Sequence, residues 1–473
     1  FPPVSFEPNY CMALLAHLLH WIYLGSLLLI TAYCLMQVHL LWQYLRARQA
    51  PFYGENSQPD LPFVTIQLPV FNERYVVERL IDSVLRLDYP KNKFEVQVLD
   101  DSTDDTVRLA AEKVQAYKSA DFQIEHIRRQ ERTGFKAGAL KHGLTQAKGE
   151  FIAIFDADFL PEPDFLKKTL PHFQHEKTGV VQTRWAHLNE NYSLLTRLQA
   201  FQLNVHFRVE QQGRQAGGYL LQFNGTAGVW RRNTIEDAGG WHVDTLTEDL
   251  DLSIRAQLKG WKITYLENVA SPAELPAEMN GLKSQQFRWM KGGAECARKL
   301  LPKLWRSTLS LPQKIHGTAQ LLGSSLFLLA FLASVVSVPV FFFQAAGWQL
   351  ETKPFGRLIL LGLVGFAAVH FVSNVLVEKG KGSFGKRSVE FFALFPLLLT
   401  LSLGLAWHNS LAVAQGWLGK KSDFVRTPKF NILTLGDSFR RRHYAGAPLA
   451  WTTIVEGLLA GCFLSVAISA FYL

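Results

Sequence analysis

The chain is 473 residues long with a formal net charge of +9 and an apolar fraction of 48%, room for one large globular domain plus a helical membrane part. Positive charge suits a nucleic-acid binder where it forms a basic face, but here it gathers beside apolar segments, at Arg46-Ala47-Arg48 and from Lys379 to Arg387; the positive-inside rule explains that placement, and nucleic acid is excluded as a partner. The four cysteines, Cys11, Cys34, Cys296 and Cys462, show no CxxC or zinc spacing, which excludes a disulfide framework or metal cluster and predicts inert packing residues.

In chain order, the first element is a transmembrane helix. Met12 to Tyr44 is almost uninterrupted apolar sequence, long enough to cross a hydrocarbon core of about 30 Å. No cationic segment precedes it, so no cleavable signal peptide is expected. Glu7 before it and Arg46 and Arg48 after it place the N-terminus outside and the following polar stretch, from about Pro51 to Trp305, in the cytosol.

Within that stretch, strand-like runs at Val64 to Val70, Glu95 to Leu99, Gln123 to Ile127, Phe151 to Phe155 and Gly179 to Gln182 alternate with helical patterns such as Val107 to Tyr117. The alternation predicts an α/β domain with a doubly wound, mostly parallel sheet, whose ligands bind beyond the carboxyl ends of its strands. Ser193 to Val209 and Leu282 to Trp305 mix apolar stripes with Arg and Lys at helical spacing; they read as amphipathic helices at the membrane surface, or as surface helices of the domain.

Apolar stretches follow near Leu321 to Phe343, Leu358 to Val377, Phe391 to Trp407 and Trp451 to Leu473, three or four further spans. If all cross, the basic loop from Lys420 to Arg442 lands outside, against its charge. The Phe391 to Trp417 region is therefore expected to be partly interfacial or re-entrant.

Chemistry-bearing residues follow the predicted strands. Asp100-Asp101-Ser102-Thr103-Asp104-Asp105 closes the second run, a place to grip a nucleobase and ribose, or equally a turn in which Ser102 or Thr103 caps the next helix. Asp156-Ala157-Asp158 follows the strand at Phe151, and side chains at i and i+2 on extended backbone project to one side. Two such carboxylates suit one hard cation, Mg2+ or Mn2+, completed by water and substrate phosphate, although a lone DxD is common in loops.

Thr245-Leu246-Thr247-Glu248-Asp249 opens a helix that stops near Gly260. A capping box with Thr245 as N-cap and Glu248 at the third helical position accounts for those two residues, but not for Asp249, a carboxylate suited to accept a proton from an acceptor hydroxyl. In Gln285-Gln286-Phe287-Arg288-Trp289, Arg288 suits a diphosphate and Trp289 a sugar ring; the alternative is a surface helix with snorkelling cations and an interfacial Trp. Phe223-Asn224-Gly225-Thr226 is a sugar-site segment or an Asn-Gly turn, and Lys136 a site lysine or a solvated helix-start residue.

The ordered set decides. Asp100-Asp101, Asp156-x-Asp158, Thr247-Glu248-Asp249 and Gln285-x-x-Arg288-Trp289 resemble, in order, the DD, DxD, TED and QxxRW motifs of the cellulose synthase superfamily of processive family 2 glycosyltransferases, over Pro69 to Lys429. Arg132 to Leu140, Phe155 to Phe159, Phe223 to Trp230 and Gln285 to Trp289 look like its cellulose-synthase-like A and C branches, which make glucomannan and xyloglucan backbones. Phe424-Val425-Arg426-Thr427-Pro428-Lys429 resembles the gating loop FxVTxK, with Arg426 in place of the central valine.

The resemblance implies a GT-A fold and an inverting, metal-dependent hexosyltransferase that uses UDP-glucose or GDP-mannose to extend a β-linked glycan acceptor, β-1,4 by linkage, and exports it, with accessory export proteins as further partners. By it, Asp249 is the general base and Asp156 and Asp158 hold the metal. Pro69, Glu73, Asp100, Asp101, Lys136, Gln285, Arg288, Thr427 and Lys429 bind the nucleotide diphosphate. Phe223, Asn224, Gly225, Thr226, Glu248 and Trp289 line the acceptor position.

The domain plan is a transmembrane helix over 1–50, a GT-A domain over 51–280, interface helices over 281–312, and a transmembrane region over 313–473 with a cytosolic gating-like loop at about 419–445. The lipid bilayer is that of a bacterial inner membrane or the Golgi. His316, His370, Asn374, Trp407, His408 and Asn409 are candidates to line an export path, or polar residues bonded between helices. Two other functions compete, a non-processive transferase making a glycolipid and a non-catalytic nucleotide-sugar-binding or transport subunit.

Overall fold

The computed structural model describes residues 10–47, 61–350, 353–377, 382–434, 436–437 and 451–470. The orientation cues at Glu7 and Arg48, the start of the polar stretch at 51–60, Lys379 in the basic cluster and the far end of the gating-like loop lie outside the described residues.

Helix α1 runs Tyr10–Ala47. The domain then alternates β1 (Val64–Val70), α2 (Val77–Leu85), β2 (Phe94–Asp100), α3 (Thr106–Ser119), β3 (Ile124–Arg128), α4 (Phe135–Gln146), β4 (Phe151–Ile154), α5 (Phe165–Thr169) and β5 (Thr178–His187). Next come α6 (Leu194–Asn204), a π-helical turn (Val205–Glu210), α7 (Gln211–Ala216), β6 (Gly228–Arg231), α8 (Arg232–Asp237), α9 (Glu248–Leu258) and β7 (Lys262–Ala273). The strands make one seven-stranded sheet in the order β3-β2-β1-β4-β6-β5-β7.

Side chains alternate across that sheet with period two. In and just beyond β4, Phe151, Ala153 and Phe155 join a core with α2, α3 and α5, whereas Ile152 and Ile154 join one with α4, α8 and α9. Apolar layers on both faces are what a doubly wound sheet requires.

Strand direction places the site. β1 pairs in parallel with β2 and β4, β2 with β3, and β5 with β7; β6 alone runs antiparallel to its neighbours β4 and β5. The carboxyl ends at Val70, Asp100, Ile154, His187 and Ala273 therefore share one edge. Because β6 is reversed, the residues upstream of it, Asn224 to Thr226, arrive at that edge too.

The strands β6 and β7 were not among the sequence expectations. β6 has four residues, too few to show a period. In β7 the register jumps from Thr183↔Leu266 to Arg184↔Ala270, and that bulge breaks the alternation.

Neither capping alternative is realised. Neither Ser102 nor Thr103 caps α3: its Thr106 N–H is taken by Asp104 Oδ1 at 3.0 Å, while Ser102 Oγ accepts from Asn72 N–H at 2.8 Å. Helix α9 starts at Glu248 with Thr247 as an N-cap whose side chain meets Cys296 Sγ at 3.4 Å and caps no helix N–H; the N-cap is therefore not Thr245, and Asp249 falls in the first turn.

After the domain come α10 (Met279–Arg306), α11 (Leu311–Leu322), α12 (Leu326–Ala345), α13 (Lys353–Phe371), α14 (Phe384–Gly404), α15 (Ala406–Trp417) and α16 (Trp451–Ser469). Five helical stretches among the described residues are long and apolar enough to cross a membrane: Tyr10–Ala47, Leu311–Ala345, Phe355–Leu376, Phe384–Gly404 and Trp451–Ser469. This is a membrane protein.

The expected interfacial segment is two helices, and both outer ends lie toward the domain. Phe384 meets Phe371 at the end of α13, with ring centroids 6.4 Å apart, and nearby Glu390 pairs with Arg197 of α6 at 3.7 Å. At the other end Trp417 Nε1 donates to Ser325 Oγ at 3.1 Å, just before α12.

The candidate path-lining residues mostly have protein partners. His316 lies 3.0 Å from His39, Asn374 donates to the Phe201 carbonyl at 3.1 Å, and His408 meets the Lys283 carbonyl at 3.0 Å. Of the cysteines, Cys34 and Cys296 are buried and Cys11 and Cys462 exposed, all free; the expectation of packing residues does not hold for the two on exposed faces of α1 and α16.

Candidate active site

Two side chains of α9 bind the segment that leads to Asn224 and Gly225. Ser253 Oγ accepts from Phe223 N–H at 2.9 Å and donates to the Asp249 carbonyl at 2.6 Å, and Gln257 bonds both the N–H and the carbonyl of Leu221. That stapling carries Gly225 to the start of α9. Gly225 has φ +80°, and a Cβ there would lie 3.1 Å from Asp249 Oδ2 and 3.4 Å from Lys136 Nζ, so both backbone and space demand glycine.

Lys136, at the start of α4, joins the pieces. Its ammonium lies 2.6 Å from Asp156 Oδ1, donates to the Gly225 carbonyl at 2.9 Å, and sits 3.9 Å from Glu248. The DxD, TED and FNGT segments thus converge on one amine. Its side chain is 16% exposed, which rules out the solvated helix-start reading.

Electrostatics follow burial. Asp249 is pushed up to about 7, first by burial and then by the neighbouring Glu248 charge, against Lys136. Glu73 reaches about 8 for the same first reason, despite Arg426 and Lys429, and burial lowers Arg288 to about 10. Burial would lower Lys136, but the charges of Asp156 and Glu248 outweigh it and raise the lysine.

The stretch after α15 closes the cleft. Phe424 stacks on Phe135 with ring centroids 5.9 Å apart, Arg288 lies 4.5 Å over Phe424, and Arg288 Nη2 donates to Thr427 Oγ1 at 2.8 Å. Lys429 donates to Asp158 Oδ2 at 2.7 Å. Arg426, the departure from the family pattern, pairs with Glu73 at 3.4 Å. With these side chains inside, the cleft encloses ≈ 190 Å³, below the roughly 300–1,000 Å³ of ligand pockets.

Most of the expected residues line this cleft, including Pro69, Glu73, Asp101, Asn224, Gln285 and Trp289. Three do not. Asp100 is 1% exposed; burial would raise it, but bonds from His126 and Ser102 hold it below the usual carboxylate range. Phe223 is buried edge-on against Trp230, and buried Thr226 accepts the Asp156 N–H at 2.9 Å. The last two lie behind the Asn224–Gly225 wall and do not line the cleft. Of the aspartate pair, Asp101 faces the cleft, gripped by Arg129 at 3.0 and 2.5 Å.

Two residues escaped the sequence reading. Glu274, just past β7, accepts from the N–H groups of Phe430 and Ile432 at 2.7 and 3.2 Å and so ties down the closing stretch. Arg132 lies 3.4 Å over the Phe71 ring and 4.9 Å over Phe135. Arg132 opens the Arg132 to Leu140 segment that carries the family resemblance, which was its signal, but it was not named as a site residue; Glu274 belongs to no motif.

Asp156 and Asp158 suit a divalent cation. Their oxygens are the hard donors such ions take, and each has drawn an ammonium to 2.6–2.7 Å. A second cluster, His242, Asp244 and Asp251, has ligand-like spacing. There the Lys299 ammonium sits 3.0, 2.7 and 2.9 Å from the three, clamping α10 to α9 and the loop before it; a cation already fills it.

Comparison with known proteins agrees with the motifs. The model of the "glycosyltransferase like family 2" matches residues 60–292. Glucomannan 4-beta-mannosyltransferase 1 of Oryza sativa subsp. japonica is 44% identical over 54% of this chain and 50% of its own length. A probable glucomannan 4-beta-mannosyltransferase 3 of the same plant is 35% identical over 71% and 63%. Residues 60–292 form a family 2 glycosyltransferase-like domain, and the chain is similar to the cellulose-synthase-like glucomannan mannosyltransferases. It spans about half the length of most of the curated relatives it matches.

The chain also shares its fold with a mannosyltransferase of Pyrobaculum calidifontis, solved with GDP-Man and Mn2+. The two are 18% identical with a TM-score of 0.54, over 85% of this chain and 100% of that one.

Proposed function

We propose that this chain is a membrane-embedded, inverting hexosyltransferase that moves mannose from GDP-mannose onto a growing β-1,4-linked glycan. The observation that carries the reading is the convergence of Asp156, Glu248, the Gly225 carbonyl and Asp249 around Lys136. GDP-mannose is preferred over UDP-glucose because the relatives bear the name glucomannan 4-beta-mannosyltransferase.

Asp249 takes the proton of the acceptor hydroxyl, and its carboxyl at about 7 is matched to that task near neutral pH. The acceptor oxygen attacks the anomeric carbon from the face opposite the departing diphosphate, inverting the centre. Lys136, Arg288 and Lys429 receive the diphosphate charge, Thr427 orients Arg288, and Trp289 offers a face for the acceptor sugar. Mg2+ or Mn2+, held by Asp156 and Asp158, supplies further neutralisation of charge on the leaving group.

A nucleotide sugar needs more room than ≈ 190 Å³, so the stretch from Phe424 to Lys429 withdraws to admit the donor. The pairing of Glu390 with Arg197 of α6 and the packing of Trp417 against the cluster of Leu250 and Ile254 of α9 support a re-entrant pair, α14 with α15, that keeps this stretch on the same side of the bilayer as the catalytic domain. That side is cytosolic by the charge rule, and a processive, exporting enzyme is the reading such a layout favours.

Release of nucleoside diphosphate is to be measured with GDP-mannose and UDP-glucose in turn, and the product sized. Turnover of GDP-mannose into a polymer is the expected result. A lipid-extractable monoglycoside would replace polymerisation with glycolipid synthesis, and turnover of UDP-glucose alone would overturn the donor.

A further inference from the structure

The geometry points to His206 as a positioning residue that aims the Asn224 carboxamide at the acceptor sugar, an inference that rests on the proposed acceptor role of Asn224. His206 Nε2 lies 2.9 Å from Asn224 Oδ1 and its Nδ1 lies 2.8 Å from Glu210 Oε2. The other Glu210 oxygen accepts from Gln37 Nε2 of α1 at 2.7 Å. A line of four polar side chains therefore runs from the cleft wall to the first apolar helix.

Each link removes a freedom from the next. The Asn224 backbone is fixed because its N–H donates to Gln182 Oε1 at 2.9 Å; its Nδ2 donates to the Gln222 carbonyl at 3.5 Å, the limit of a hydrogen bond, so the shorter contact with the ring sets the amide rotor. Burial would raise Glu210, but His206, Arg214 and Gln37 hold it at about 2, so its carboxylate accepts the Nδ1–H of the ring. The ring nitrogen left over, Nε2, then faces the amide. With Asn224 Oδ1 facing the ring, a proton on Nε2 is donated to that oxygen, and the amide plane is locked.

The backbone points the same way. Val205–Glu210 forms a π-helical turn between α6 and α7, a distortion that costs hydrogen-bond geometry and concentrates at functional sites. It holds both His206 and Glu210. The packing alternative is that the pair, four residues apart, merely stabilises its own helix.

Acceptor and donor kinetics separate the two. With a short β-1,4-linked manno-oligosaccharide as acceptor, His206→Ala is expected to raise the acceptor KM about tenfold, the order expected for one lost hydrogen bond, with donor KM unchanged. His206→Gln, whose amide reaches the position of Nε2, restores most of it. Should His206→Ala not fold, Glu210→Gln, which keeps the shape of the pair, is expected to raise the acceptor KM by a smaller factor.

A double-mutant cycle of His206→Ala with Asn224→Ala is expected to be non-additive. An unchanged acceptor KM, or equal rises in acceptor and donor KM, overturns the positioning role. Asp249→Asn measured alongside tells that failure from failure of the enzyme assignment: if it too transfers sugar normally, the proposed chemistry falls as well.

Discussion

The Lys429 ammonium lies 2.7 Å from Asp158 Oδ2, where a divalent cation would take its oxygen. Lysine and metal compete for one carboxylate. Lys429→Ala is therefore expected to tighten Mn2+ binding without nucleotide by about three- to tenfold, by removing the competitor. Titration followed by the Mn2+ resonance signal reads this directly, and weaker binding would show that Lys429 helps to assemble the metal site.

Asp249→Asn keeps the shape of the side chain and removes the base. The expected result is a fall in kcat of about a hundredfold to ten-thousandfold with nucleotide affinity kept, measured by diphosphate release and by calorimetry.

The pH profile follows from the raised carboxyl of Asp249, about 7. Its ionised form is the base, so kcat falls as pH drops through that value, by roughly tenfold per unit below it. Glu248→Gln removes the neighbouring charge that helps raise Asp249, which moves the acid limb to lower pH. An acid limb that stays in place contradicts the coupling.

Gly225→Ala introduces a Cβ 3.1 Å from Asp249 Oδ2 at φ +80°. Backbone strain of about 1–3 kcal/mol is expected to lower Tm, and displacement of the carboxylate to lower kcat. Ser253→Ala, one shell further out, leaves the Phe223 N–H without its acceptor. Its expected cost is about 1–3 kcal/mol of stability, read from thermal unfolding.

Strand ends were the part of the site written most openly in the sequence. Asp101, Asp156 and Asp158 follow apolar runs, and parallel pairing brings such ends to one edge. What local pattern does not carry is which way each side chain turns. Asp100 and Asp101 are adjacent, yet one is locked inward by His126 and Ser102 and the other faces the cleft.

Thr226 looked like a sugar ligand by its place in a motif, but its hydroxyl is spent on the Asp156 N–H. Partners 70 residues apart leave no periodic trace. The same holds for the Glu274 contacts with Phe430 and Ile432 and for the reversed strand β6, whose direction depends on its neighbours.

The bond between Gln37 of α1 and Glu210 spans 173 residues of sequence, and Tyr44 reaches Glu267 in β7 at 3.3 Å. During synthesis α1 leaves the ribosome long before either partner exists. Gln37 and Tyr44 therefore meet these partners only after most of the sheet has been translated. The first helix is thus more than a tether: excising it would strip the catalytic domain of bonds that form part of its own folded surface.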